Sequence, residues 1–95
     1  MRERTVIGEG SVPRFRPHMK LKFDESRDQW VILAPERLFL PDEIALEILK
    51  RCDGDRNVAA IVDDLVQKFA APRDTILTDV TALVQDFTDK GVLEA

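Results

Sequence analysis

Residues 35–54, PERLFLPDEIALEILKRCDG, contain the change from strand to helix that decides the fold. Pro35 and Pro41 bracket the run ERLFL, and because proline cannot donate to a strand ladder, this run is predicted to lie at a sheet edge. Asp42 is predicted to cap a helix that ends near Gly54. The apolar positions of that helix recur on one face: Ile44, Ile48, Leu49 and Cys52. No nucleophile–base pair or metal cluster accompanies the apolar strand, so we interpret the strand itself as a binding element.

Two further strands are predicted upstream of this stretch. Apolar and polar residues alternate over residues 19–24, the period of a half-buried strand. QWVILA, residues 29–34, is apolar on both faces and is predicted to be a central strand covered on both sides. Residues 1–18 have no regular period and are predicted to form a flexible N-terminal arm, which leaves residues 19–95 as the domain.

Two helices are predicted downstream. Asn57 is expected to cap the first of them, and Pro72 and Lys90-Gly91 are expected to open and close the second. The first has one regular apolar stripe: Val58, Ile61, Val62, Leu65, Val66 and Phe69. The order predicts an α+β, winged-helix-like fold, in which a three-stranded antiparallel sheet is followed by three helices.

Composition excludes several classes of function. The formal net charge of -4 and the pI near 4.9 disfavour nucleic acid, which is bound largely through Lys and Arg, and also disfavour an anionic membrane. No apolar run reaches the length of about 20 residues that spans a bilayer, and the N-terminus lacks the apolar region of a secretory signal. These features predict a cytoplasmic protein, and its single cysteine cannot form an internal disulfide.

The sequence offers little for catalysis. His18 is the only histidine and is expected to be a solvated surface residue, while Cys52 falls on an apolar helix face, where it acts as a small hydrophobe. Asp63 and Asp64 fit the polar face of a helix. We therefore predict no enzymatic activity, no catalytic residue, no metal and no cofactor.

The third predicted helix suggests a groove. At about 100° per residue, Ile76, Val80, Leu83 and Phe87 form a core stripe. Leu77 and Val84 form a shoulder that Thr81 and Thr88 continue. This shoulder is either a wide core face or the wall of a groove, and both interpretations stay open.

The edge strand would supply the other wall of that groove. Leu38 and Leu40 point one way and Arg37 and Phe39 the other, so one set can pack on the core. The other face and the open backbone remain available to an added strand. Phe39→Asp and Val84→Asp are accordingly expected to abolish peptide binding without loss of helix.

The segments KFD, LAPER, EILKRCDG and DV…L…F…KGVL, in that order, resemble the pyrroloquinoline quinone biosynthesis protein D family. The resemblance begins near Pro13 and implies a peptide chaperone, or recognition element for a ribosomal precursor peptide. It implies that the leader of the precursor peptide PqqA binds as an added strand and is delivered to the radical S-adenosylmethionine enzyme PqqE, which joins a glutamate to a tyrosine. The implied binding positions are Arg37, Leu38, Phe39, Leu40, Leu77, Val80, Thr81 and Val84.

One alternative comes from another functional class. An apolar edge strand can pair with its own copy, so the chain could instead be a structural or regulatory interaction domain that forms a homodimer.

Overall fold

The computed structural model describes residues 5–35 and 37–95. In these residues the strands are β1 (Arg14–Phe15), β2 (Lys20–Asp24), β3 (Gln29–Ala34), β4 (Arg37–Phe39) and β5 (Leu93–Glu94), and the helices are α1 (Glu43–Leu49), α2 (Val58–Phe69) and α3 (Arg73–Asp89). Strands β2, β3 and β4 form an antiparallel sheet in that order, and β1 pairs with β5. The predicted α+β architecture is confirmed.

The register of the sheet determines which of its faces meets the helices. Ile32 on β3 lies opposite Leu21 on β2 and Phe39 on β4. Ile32 is fully buried in the core, and Leu21 and Phe39 are half-buried against it. On the other face Leu33 is 37% exposed, so the prediction that β3 is covered on both sides is wrong at this position.

The helix starts follow the predicted caps. The Asp42 carboxylate accepts a hydrogen bond from the Ala45 amide at 2.8 Å, and the Asn57 side chain accepts one from the Ala60 amide at 2.8 Å. On α1 the buried residues are Ala45, Ile48 and Leu49. Ile44 is 54% exposed because it lies about 90° from the centre of that face.

Helix α3 differs from the predicted core stripe at Leu83, and at Val84 it agrees with the wide core face, one of the two interpretations of the shoulder. Its buried residues are Ile76, Val80, Val84 and Phe87. Val84, predicted to lie on the shoulder, is completely buried, and Leu83, predicted for the core stripe, is only half-buried. Val84 belongs to the same core cluster as Ile7, which comes from the N-terminal segment.

Residues 5–18, part of the predicted flexible arm, contact the rest of the domain at several points. Ile7 is only 5% exposed. The Val58 amide donates to the Ser11 carbonyl at 2.8 Å, and the Arg16 amide donates to the Val92 carbonyl at 3.0 Å. These contacts join parts of the segment to the domain, and the boundary at residue 18 stays a prediction. Residues 1–4 lie outside the described part of the chain, and flexibility of the segment in solution stays a prediction.

Candidate functional site

Strand β4 presents an open backbone edge. It pairs with β3 on one side, and no strand of residues 5–35 and 37–95 pairs with its other side. An unpaired strand edge exposes backbone donors and acceptors that can template a further strand. The edge predicted from Pro35 and Pro41 is therefore confirmed.

An aromatic pair connects β4 to α3. The ring centroids of Phe39 and Phe87 are 5.8 Å apart, with an interplanar angle of 77°. Such edge-to-face pairs add about 0.5–1.5 kcal/mol beyond the area they bury. The pair therefore joins the open strand to the helix beside the β4 edge. We name the β4 edge together with the Phe39–Phe87 pair the β4 groove.

A cation lies at each end of this aromatic pair. The guanidinium carbon of Arg37 is 5.8 Å from the centroid of Phe39, and Nζ of Lys90 is 5.4 Å from the centroid of Phe87. Both distances are within the roughly 6 Å at which a cation is attracted to a ring face. Lys90 also pairs with the Asp86 carboxylate at 2.8 Å.

The remaining predicted positions on the strand are exposed. Leu38 points to the outer face of the sheet and is 40% exposed, while Leu40, just beyond β4, is 56% exposed. A peptide beside β4 would therefore find apolar contacts on both faces of the sheet edge.

The four predicted positions on α3 fall into two groups. Leu77 and Thr81 are half-buried, whereas Val80 and Val84 have no exposed surface. Val80 and Val84 therefore support the helix from the core and offer a ligand no surface of their own. Leu77 and Thr81 share their flank of α3 with Gln85, whose side chain accepts from the Ile7 amide at 2.9 Å and donates to the Thr5 carbonyl at 2.8 Å.

Sequence reasoning missed two groups at this site. The sequence pattern places Phe87 only in the core stripe and Lys90 only at the end of the helix. An aromatic residue followed three positions later by a lysine is compatible with stacking on a helix surface, but that spacing alone does not reveal the Phe39 contact.

The groups with catalytic potential lie away from the β4 groove. His18 is exposed in a loop, with a φ of 71°. Cys52 is 3% exposed, and burial raises the pKa of its thiol to about 12. Among the described residues, no group of three or more His, Cys, Asp or Glu side chains is arranged to hold a metal ion.

Two other features complete the surface. A cavity of about 500 Å³ lies at the β2–β3 turn, where Lys22, Val31 and Leu33 contribute to its lining, so it is separate from the β4 groove. In the part of the chain that the structure describes, no helix has the length and apolar composition needed to cross a membrane.

Known proteins match this chain over most of its length. The family model described as coenzyme PQQ synthesis protein D (PqqD) matches residues 29–93. A PqqA binding protein from Bradyrhizobium diazoefficiens is 55% identical over 87 residues, which cover 92% of this chain and 84% of the relative.

Solved structures agree with this match. The NMR structure of the PqqD truncation of Methylobacterium extorquens PqqCD, described as a functional, stand-alone recognition element for ribosomally synthesized and post-translationally modified peptides, aligns with a TM-score of 0.80 at 36% identity. The alignment covers 94% of this chain and 95% of that one. Lasso peptide synthetase B1, complexed with its leader peptide, shares the fold with a TM-score of 0.76 at 18% identity, over 90% of this chain and 100% of its own. By its sequence and its fold, the chain belongs to the PqqD family.

Proposed function

We propose that this chain is a non-catalytic peptide chaperone that binds the precursor peptide PqqA as a strand added to β4. The observation that carries the proposal is the open β4 edge beside the Phe39–Phe87 pair. Relatives named PqqA binding protein support the identity of the ligand.

Recognition would combine backbone and side-chain contacts. The peptide backbone extends the sheet, and every second peptide side chain faces the aromatic pair. On the strand, the proposed contacts are Arg37, Leu38, Phe39 and Leu40. On α3, Leu77 and Thr81 stay proposed contacts, although they lie about 80° and 120° around the helix from Phe87, while Val80 and Val84 support the helix from the core.

The expected affinity is moderate. Three or four added ladder bonds contribute about 0.5–1.5 kcal/mol each, and one or two buried apolar side chains about 1.5–3 kcal/mol each. Ordering of the peptide and loss of its free motion oppose these gains. A dissociation constant in the micromolar range, about 1–100 µM, is the expected balance.

The bound peptide is proposed to pass to the radical S-adenosylmethionine enzyme PqqE, which would join its glutamate to its tyrosine. The iron–sulfur clusters of that step belong to the enzyme. A short groove suits this role, because it holds the leader and leaves the rest of the peptide accessible. The proposed location is the cytoplasm, where a ribosomal peptide is made.

An amide NMR titration of the labelled chain with synthetic precursor peptide tests the binding step. We expect shifts concentrated in residues 37–40 and 77–90. Phe39→Asp should remove them, whereas Phe23→Asp, on β2 at the opposite edge of the same sheet, should bind normally. Helical circular dichroism establishes that both variants fold.

Two outcomes would contradict the proposal. A spectrum unchanged by the peptide at about 500 µM would exclude binding in the expected range and leave self-association through β4 as the better account. Equal loss of binding in both variants would move the site away from the β4 groove. For the delivery step, cross-linking by the enzyme should slow with Phe39→Asp and not with Phe23→Asp.

A further inference from the structure

The β4 groove is locally basic on a protein that is acidic overall. The formal net charge is -4, and the exposed face of α3 includes Asp74, Asp79 and Asp86. Arg37 and Lys90 nevertheless flank the aromatic pair of the groove. A ligand in the β4 groove is therefore close to positive charge, although the protein as a whole carries a net negative charge.

The two cations are not equivalent. Asp86 already holds Lys90 at 2.8 Å, and Asp89 lies in the same last turn of α3. Arg37 forms no ion pair with any carboxylate of the described residues. Its guanidinium carbon lies over the ring of Phe39, 5.8 Å from the centroid, and this cation–π arrangement leaves the N–H donors available. Arg37 is thus the cation with unused capacity for a ligand carboxylate.

The spacing of the strand then determines the pattern of the ligand. Arg37 and Phe39 are two residues apart, so their side chains stand on the same face of β4. A strand added to β4 would place its own side chains opposite them, with Cβ atoms about 4.5–5.5 Å apart across the ladder. A carboxylate opposite Arg37 would consequently stand two residues from the side chain opposite Phe39.

We infer that the β4 groove selects a peptide segment in which an acidic residue and an apolar residue are separated by one position, with the carboxylate paired to Arg37 and the apolar side chain on the Phe39–Phe87 pair. This inference rests on the proposed strand addition and names the ligand chemistry of that site. It also sets the orientation of the segment, because Lys90 is already paired with Asp86 and Arg37 is left as the cation that can take the peptide carboxylate.

A double-mutant cycle tests the inference. Each acidic residue of the synthetic precursor peptide is changed in turn to its amide, and binding is measured by titration to the chain and to Arg37→Gln. Arg27→Gln is the matched control, since Arg27 pairs with Asp24 at 3.3 Å in the β2–β3 turn, at the other end of the sheet. It removes the same charge without touching the β4 groove.

One peptide carboxylate should couple to Arg37. Its amide variant and Arg37→Gln should each weaken binding about two- to fivefold, as expected for a solvent-accessible ion pair, and the two changes together should cost no more than either alone. Arg37→Lys should restore part of the loss. In the sequence of the peptide, an apolar residue should stand two positions from the coupled carboxylate.

The result also separates the two proposals. Binding that shifts β4 amides but loses the same factor in Arg37→Gln and Arg27→Gln, with no coupled carboxylate, overturns the inference and leaves strand addition intact. Absence of any peptide-induced shift overturns both.

Discussion

On α3, Val84 lies in the core, and Thr81, less than one turn earlier, lies on the half-buried flank of the helix. Val84 has no exposed area, so Val84→Asp buries an unpaired charge and should cost about 4 kcal/mol or more, a large part of the roughly 5–15 kcal/mol of a typical domain. The sequence-based expectation that Val84→Asp leaves the helix intact is therefore replaced by one of unfolding. Thr81→Asp, on the half-buried flank, should stay folded. Thermal melts followed by circular dichroism distinguish the two, and equal melting temperatures would contradict the assigned burial.

The Cys52 thiol should be inert in the folded protein. Its pKa of about 12 leaves a thiolate fraction of about 10⁻⁴ at pH 8, and its sulfur also donates to the Ile48 carbonyl at 3.4 Å. Labelling with a thiol reagent at pH 8 should follow the rate of unfolding and accelerate when urea is added. Rapid labelling without denaturant would show that the thiol is accessible, contrary to its 3% exposure.

At the scale of the elements, two substitutions in the N-terminal segment test whether that segment packs on the rest of the domain. Ile7 is buried and Val6, its neighbour, is 76% exposed. Ile7→Ala should destabilise the domain by about 2 kcal/mol, at the low end of the range for a buried isoleucine, while Val6→Ala should change stability by less than about 0.5 kcal/mol. Urea denaturation measures both. Equal effects of the two variants would favour the flexible arm.

The ion pairs that join α1 to α2 predict a dependence on pH. Arg51 bonds the Glu47 carboxylate at 3.0 Å and also contacts Asp64. The hydrogen bond from Arg51 lowers the pKa of Glu47 below its usual 4.5 and the pKa of Asp64 below its usual 3.8. As the pH falls, these two carboxylates take up protons in the unfolded chain before they do so in the folded protein. The stabilisation from the ion pairs is therefore complete at neutral pH and is lost as the pH falls below these values.

Arg51→Gln should therefore flatten the loss of stability between about pH 5 and pH 2. Arg27→Gln, which breaks the more exposed pair with Asp24, should leave the shape of that curve unchanged. Urea midpoints measured across this range provide the comparison, and an unchanged curve in Arg51→Gln would mean that other carboxylates cause the acid sensitivity.

The helices were predictable where one local rule decides the outcome. Asp42 and Asn57 cap their helices because a short acceptor side chain reaches a backbone amide three residues on, and that geometry is local. The buried faces of α1 and α3 were predicted less well. Val84 shares a core cluster with Ile7, which lies 77 residues away in the chain, so local periodicity alone does not determine which residues are buried.

At the scale of the whole molecule, pairing between residues far apart in the chain explains the remaining differences between the sequence-based predictions and the structure. Arg14 pairs with Glu94 across the β1–β5 ladder, and neither two-residue strand has a period that a sequence can display. The candidate site was also only partly predictable, because one part of it depends on a contact between residues far apart in the chain. The prolines located the β4 edge, but Phe87 became part of the groove only through its contact with Phe39.

The state of association of the molecule follows from the length of β4. Two copies joined through this edge share a strand of only three residues, so about four ladder bonds of roughly 1 kcal/mol each give about -4 kcal/mol. Because the cost of association still has to be subtracted, the dissociation constant of such a dimer is expected to be weaker than about 1 mM. A peptide gains more, because its side chains also reach the Phe39–Phe87 pair. We therefore expect a monomer in sedimentation velocity runs between about 10 and 300 µM, with a one-to-one complex when precursor peptide is added. A dimer at the lowest concentration, dissociated by the peptide, would show instead that self-pairing occupies the β4 edge and competes with the ligand.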